Sequence, residues 1–181
     1  MNFPWLSWLV FLPLAGAVLL LATPAAAARW HRRWATTVAL AEFALSLPLW
    51  WQVIPWQPGW QLVEKRAWLP AFGAQYYLGV DGISMLLVLL TTLMTVVAII
   101  GAFGAVRERT REFYALLLAL EAGMIGTFLA LDLLLFYVFW EAMLIPMYLL
   151  IGAWGGQRRV YAAIKFFLFT MAGSVLMLVA I

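Results

Sequence analysis

The chain has 181 residues, of which 67% are hydrophobic and only 10% are charged, with a formal net charge of +3. A soluble chain carries roughly 25% charged residues, so an ordinary soluble domain is excluded. The sequence has no cysteine and a single histidine, His31, which excludes a cysteine-ligated iron–sulfur cluster and a haem held by two histidines.

Long apolar runs recur along the chain, and each matches the ~20 residues that cross a bilayer as a helix. They are too long for barrel strands and lack their alternation of polar and apolar residues. The sequence therefore predicts an all-α, polytopic transmembrane bundle of about six helices. We expect the last helix to be truncated, because no polar residue closes it. The predicted segments are 5–23, 34–54, 81–104, 113–131, 132–153 and 161–181.

The first segment begins without a basic residue, and Arg29, Arg32 and Arg33 follow it directly. This order of charges is unlike that of a signal peptide, so we predict a retained helix. The third and fifth connections are also arginine-rich, whereas the second has only Lys65 and Arg66. Because cytoplasmic loops carry the excess of Lys and Arg, the N-terminus is predicted to be non-cytoplasmic.

The second connection, residues 55–80, is rich in Trp and Pro and is predicted to form an interfacial cap on the bundle. Asp81 precedes the third segment and Asp132 the fifth, and both are predicted to cap the helix that follows. Small residues in the third and fourth segments, Gly101 and Gly104 and then Gly123 and Gly126, are typical of close helix packing.

Two glutamates fall inside the second and fourth segments. Glu121 lies midway along the fourth segment, and Glu42 lies within the second. Either could line a hydrated interior or form a hydrogen bond across a helix interface. We take Glu121 as the weaker of the candidate proton-transfer residues and assign Glu42 no role.

Glu141 is the strongest candidate site, since it lies near the middle of the apolar run Leu133–Ile151. An ionisable residue at that depth is costly and usually serves ion or proton movement. Pro146 follows five residues later and is predicted to kink the helix, because it cannot donate a hydrogen bond to Ala142. The alternative is a neutral carboxyl group held by hydrogen bonds between helices.

Lys165, a turn or so inside the sixth segment, is the best candidate partner for Glu141 within this chain. A nearby cation favours the ionised form of a buried carboxyl group. The difference in depth between the two residues is roughly 10 Å at 1.5 Å per residue. The alternative is that Lys165 extends to the membrane interface with Arg158 and Arg159.

Three runs of the sequence closely resemble one family of membrane proteins. They are LGVDGIS at 78–84, FWEAMLIPMY at 139–148 and KFF at 165–167. The chain resembles the N-terminal part of the antiporter-like M subunits of proton-pumping NADH:quinone oxidoreductase, respiratory complex I. The resemblance follows the whole chain in order, and the run around Glu141 is its most specific part.

The resemblance implies that Glu141 is the family's essential glutamate, which pairs with a lysine on the seventh helix. Lys165 matches a family lysine of the sixth helix. Residues 1–112 would form three N-terminal helices with the loop at 55–80, and residues 113–181 would begin the first proton-channel repeat.

The resemblance also implies a bacterial-type inner (plasma) membrane and a role in proton translocation coupled to quinone reduction. The antiporter-like L and N subunits are the expected neighbours. NAD, FMN, the iron–sulfur clusters and quinone would lie in partner subunits, with no cofactor or metal on this chain. The alternatives are a subunit of a membrane-bound hydrogenase, of a multisubunit cation/proton antiporter, or a purely structural membrane subunit.

Overall fold

The computed structural model describes residues 4–25 and 27–181, so residues 1–3 and 26 of the first predicted part lie outside the described residues. A β-hairpin between the third and fourth helices consists of β1 (Gln61–Leu69) and β2 (Ala74–Val80). The helices are α1 (Trp5–Leu21), α2 (Ala28–Ser46), α3 (Leu49–Gln52), α4 (Gly82–Ala105), α5 (Thr110–Leu129), α6 (Leu133–Trp154) and α7 (Arg159–Ala180).

Six long helices in the described part of the chain confirm the predicted helical membrane bundle. Four of them, α4 to α7, are long and apolar enough to cross a membrane, whereas the apolar helix α1 has only 17 residues. The helix α2 begins at Ala28, earlier than the predicted position 34. Its first turns carry Arg29, Arg32 and Arg33, which a pattern of apolar residues assigns to the preceding loop.

The core of the molecule is a four-helix bundle formed by α1, α2, α4 and α5, which pack against one another. One apolar cluster lies near the β-hairpin and includes Leu9, Val88 and Leu129. A second cluster, toward the other end, includes Ile99 and Leu118. The remaining helices lie outside the bundle, because α6 packs mainly against α5 and α7 packs against α6.

The predicted small-residue positions divide into two kinds. A Cβ atom at Gly126 would collide with the Phe139 ring of α6, and one at Gly123 would lie 2.5 Å from Met143 Cγ. The backbones of α5 and α6 therefore approach closely, as small residues allow. Around Gly101 and Gly104 of α4, by contrast, the structure has no atom within 4 Å of the added Cβ.

The predicted cap at 55–80 contains the antiparallel β-hairpin, which the sequence analysis did not anticipate. The Leu131 N–H donates to the Tyr77 carbonyl over 2.9 Å, so the hairpin lies on the turn between α5 and α6. The Glu64 carboxylate accepts the Leu6 N–H over 2.6 Å at the start of α1. A negative charge at this helix end also interacts favourably with the helix dipole.

Both predicted aspartate caps are present. Asp81 accepts the Ser84 N–H over 2.7 Å, and the Asp81 N–H donates to the Ser84 hydroxyl, which forms a capping box. Asp132 accepts the Leu134 N–H over 3.0 Å at the start of α6. Its other oxygen accepts the Gln75 N–H over 3.1 Å, so Asp132 also ties the β-hairpin to α6.

The opposite end of the bundle gathers the arginine-rich connections. Arg32 donates to the Val106 carbonyl and Arg111 donates to the Thr23 carbonyl, each over 3.0 Å. Trp154 at the end of α6 donates to a backbone carbonyl of the third connection. The first, third and fifth connections therefore lie at one end, which we call the basic end, and the β-hairpin lies at the other.

Candidate functional site

Glu141 lies on α6, eight residues after Leu133, or about 12 Å along the helix. Its side chain is half-buried, and its Oε1 atom is buried without a hydrogen-bond partner. The Tyr137 phenol, one turn earlier, interacts with the Glu141 carboxyl group and with the Ser174 hydroxyl of α7. The strongest predicted site residue therefore has two hydroxyl groups and an unsatisfied acceptor around it.

The register between α6 and α7 places Glu141 opposite Ser174. A Cβ atom at Gly152 would lie 3.5 Å from Ala163 Cβ. Two turns further along, the rings of Tyr148 and Phe167 are 5.4 Å apart between centroids. Because the two helices are antiparallel neighbours, one turn after another meets in this register, up to Ser174, which is one of the two buried residues of α7.

The structure does not bring Lys165 and Glu141 together. The same register places Lys165 beside Leu150, nine residues or about 13 Å along α6 from Glu141. The Lys165 side chain is exposed, and its Nζ atom lies 5.9 Å from the centroid of the Tyr161 ring. Within the described residues, Arg111 and Glu112 form the one ion pair.

Pro146 is buried, and α6 continues through it as one helix from Leu133 to Trp154. A proline at this position leaves the carbonyl four residues earlier without its usual donor. That carbonyl belongs to Ala142, which adjoins Glu141. The kink itself stays a prediction.

Glu121 is fully buried, but on the other side of α5 from Glu141. Gly123 and Gly126 form the face of α5 that meets α6. Glu121 points instead toward α4 and α2, where its carboxyl group interacts with the Thr95 hydroxyl and with Glu42. Both of its oxygens lack a hydrogen-bond partner. The backbone of α5 therefore separates the two predicted acids.

Glu42 is the residue whose importance the sequence analysis missed. Its side chain is fully buried on α2, and both carboxyl oxygens lack a hydrogen-bond partner. One turn later, the Ser46 hydroxyl lies 3.0 Å from the Thr92 hydroxyl of α4. The spacing of Glu42 and Ser46, which puts both on one face of a helix, was the available signal.

The described residues contain no group of three or more His, Cys, Asp or Glu side chains that could hold a metal ion. What the arrangement around Glu141 offers is proton chemistry. A carboxylate accepts hydrogen bonds only, a carboxylic acid also donates one, and the hydroxyl groups of Tyr137 and Ser174 can partner either form. Glu141 can therefore change its protonation state without losing its polar neighbours.

Comparison with known proteins assigns this region to a family. Residues 130–181, which include Glu141 and Lys165, match the family model "NADH:quinone oxidoreductase/Mrp antiporter, TM". Over 97% of its length the chain is 51% identical to NADH-quinone oxidoreductase subunit M of Rhodobacter capsulatus, of which it covers 34%. The chain thus spans about a third of the length of the curated relatives that it matches.

Solved structures give the same result for the fold. The chain matches part of respiratory complex I from Thermus thermophilus with a TM-score of 0.81 and 34% identity, over 97% of this chain and 34% of that one. It also matches the Mrp complex from a Dietzia species with a TM-score of 0.79, over 97% of this chain and 19% of that one, but at 21% identity, which shows a common fold alone. The predicted resemblance to antiporter-like subunits is confirmed.

Proposed function

We propose that this chain, which is related along nearly its whole length to subunit M of NADH-quinone oxidoreductase, forms part of a membrane subunit that translocates protons in such a complex. The supporting observation is the position of Glu141. It is an acid with an unsatisfied, buried oxygen about 12 Å into a helix that is long enough to cross a membrane. Retaining an ionisable group at this depth favours a functional role.

Glu141 acts in this proposal as a switchable proton site. A positive charge that approaches the carboxyl group favours its ionised form, and withdrawal of that charge favours the protonated form. The hydroxyl groups of Tyr137 and Ser174 adjoin the carboxyl group and can form hydrogen bonds with either form. Proton uptake and release then follow the movement of charge nearby. The family resemblance implies a lysine on the following helix as the source of that charge.

Lys165 serves as part of the relay between the basic end and Glu141. It lies six residues after Arg159, or about 9 Å into α7 from the basic end. Its distance from Glu141 along the helices is too great for an ion pair, so its effect reaches Glu141 through the field of its charge or through intervening water. Glu121 lies behind α5 and takes no part in this route.

The surroundings of the chain follow from the same proposal. The protein crosses the membrane several times, and we place its N-terminus and β-hairpin on the non-cytoplasmic side, because the arginines gather at the opposite end. Other membrane subunits of complex I are its partners, with the antiporter-like L and N subunits as the expected neighbours. NAD, FMN, iron–sulfur clusters and quinone are bound by other subunits.

The decisive experiment replaces Glu141 with Gln in the full-length protein within its assembled complex. Glutamine keeps the shape of the side chain and cannot carry a proton. In proteoliposomes driven by NADH and quinone we expect proton pumping to fall at least about tenfold, equivalent to ~1.4 kcal/mol, while the complex still assembles.

The matched control is Glu108→Gln, because Glu108 is exposed in the third connection and undergoes the same change of charge. We expect this variant to pump like the wild type. If Glu141→Gln pumps normally, Glu141 is not the proton site. A purely structural subunit would give that result.

The second candidate function is that of a cation/proton antiporter subunit, which the joint family model and the shared fold with the Mrp complex favour. The two functions differ in their dependence on sodium. We expect NADH-driven pumping at constant ionic strength to be the same in sodium and in potassium salts. A strict requirement for sodium would favour the antiporter.

A further inference from the structure

The four-helix bundle encloses a pair of acids that the proposed function does not use. Glu42 of α2 and Glu121 of α5 are each 0% exposed. Their carboxyl groups lie close enough for each to affect the other's charge. Glu121 lies eight residues before Leu129, so the pair is about 12 Å from the β-hairpin end of α5. Two acids therefore share one closed space deep inside the bundle.

The helices around this pair supply no positive charge near it. The sequences of α1 and α4 contain no acidic, basic, histidine or tyrosine side chain. The basic residues of α2 and α5 lie at the basic end. Arg32 is ten residues from Glu42, and Arg111 is ten residues from Glu121, or about 15 Å in each case. Across α5, Glu141 faces away from the pair. An ion pair with this chain's own residues does not neutralise either acid.

The hydroxyl groups around the pair are already engaged. The Thr95 hydroxyl, which adjoins Glu121, donates to the Thr91 carbonyl over 3.0 Å. The Ser46 hydroxyl donates to the Phe43 carbonyl over 2.8 Å. All four carboxyl oxygens of the pair lack a hydrogen-bond partner. Each acid is thus the nearest group able to satisfy the other.

A proton is what allows the two carboxyl groups to satisfy each other. Ionised carboxylates only accept hydrogen bonds, so two of them cannot bond directly. Burial of an unpaired charge is also strongly unfavourable, and two like charges in one site add repulsion. With one proton between them, one group donates to the other and the net charge of the site falls from −2 to −1. A second proton removes it entirely.

We propose that Glu42 and Glu121 form a proton-binding site that holds at least one proton at neutral pH and is separate from Glu141. The site is closed, because the two apolar clusters of the bundle lie on either side of it along the helices. It does not depend on the proposed role of Glu141, since the two sites lie on opposite faces of α5.

The test compares infrared spectra of the assembled wild-type protein at pH 7 with spectra of Glu42→Gln, Glu121→Gln and the double variant. We expect the double variant to lose the carbonyl absorption of at least one protonated carboxyl group. Each single variant should keep a protonated acid whose absorption is shifted, because its hydrogen-bond partner has changed. Glu108→Gln is the control and should lose none of this absorption.

An unchanged spectrum in the double variant would overturn the proposal. Glutamine imitates a protonated glutamate, so failure of all three variants to assemble would also overturn it. If the double variant alone fails to assemble, unshifted spectra of the single variants have the same meaning. Binding of ²²Na⁺ that the double variant abolishes, with no infrared change, would identify a cation site instead.

Discussion

The four-helix bundle and the α6–α7 pair are two differently built regions of one chain. In the most apolar stretch of α5, 56% of the residues are buried within the protein, whereas in α6 and α7 the shares are 17% and 11%. Each region carries acids at mid-helix depth. Those of the bundle are fully enclosed, and Glu141 on α6 is half-buried.

This difference shows what the chain itself determines about each acid. Glu42 and Glu121 have neighbours from the bundle on every side, so their protonation follows from those neighbours alone. Glu141 has Tyr137 and Ser174 beside it, but part of its surroundings is open. Its charge therefore responds to whatever lies on that open side. A responsive acid suits proton movement, and an enclosed pair suits storage.

The largest expected effect comes from a cavity in the bundle. Leu118 is 0% exposed and Leu176 of α7 is 71% exposed. Leu118→Ala should lower the free energy of unfolding by about 2–5 kcal/mol, because the enclosed site cannot refill the space. Leu176→Ala should change it by less than about 0.5 kcal/mol. Unfolding of the purified full-length protein in detergent measures both. An equal cost at Leu176 would mean that further protein covers α7.

A second test concerns the contact between the two regions. Gly126→Ala places a methyl group against the Phe139 ring, so overpacking should cost about 1–3 kcal/mol. Gly104→Ala, in open space on α4, is the matched control and should be neutral or slightly stabilising. The same unfolding measurement applies. If the two variants are equally stable, α6 is not held against α5 as the structure describes.

Much of the bundle could be predicted from the sequence, for identifiable reasons. Long apolar runs report membrane helices directly, and Asp81 and Asp132 signal helix starts because capping is local. The start of α2 was missed, since its arginines imitate a loop. The β-hairpin was missed because its strand pairing and its contact with Leu131 depend on residues distant in sequence.

The candidate site divides in the same way. Glu141 was identified because its cost depends on depth alone, which the length of the apolar run gives. The pairing of Glu42 with Glu121 could not be predicted, since it depends on which faces of α2 and α5 meet. The distance from Lys165 to Glu141 likewise depends on the α6–α7 register, which contacts such as that of Tyr148 with Phe167 determine.

A smaller effect is expected at the start of the α6–α7 pair. Asp132 accepts N–H groups at the start of α6 and the Gln75 N–H of the β-hairpin. Asp132→Ala should cost about 0.5–2 kcal/mol through loss of the cap, and Asp132→Asn should restore most of it. Hydrogen exchange at the Leu134 amide should speed up in the alanine variant alone. Unchanged exchange would show that the cap does not hold α6.

The smallest effect is expected from Lys165, because its charge acts on Glu141 from a distance. At about 13 Å, two unit charges interact by ~0.3 kcal/mol in water and by ~1.3 kcal/mol at an effective dielectric of 20. Lys165→Met in the assembled complex should therefore slow proton pumping by about two- to eightfold. Lys65→Met is the matched control, since Lys65 also lies over a tyrosine ring, that of Tyr77, but on the β-hairpin. It should pump normally. A loss at Lys165 as large as that of Glu141→Gln would mean that the lysine carries the proton itself, and equal rates for the two lysine variants would remove Lys165 from the relay.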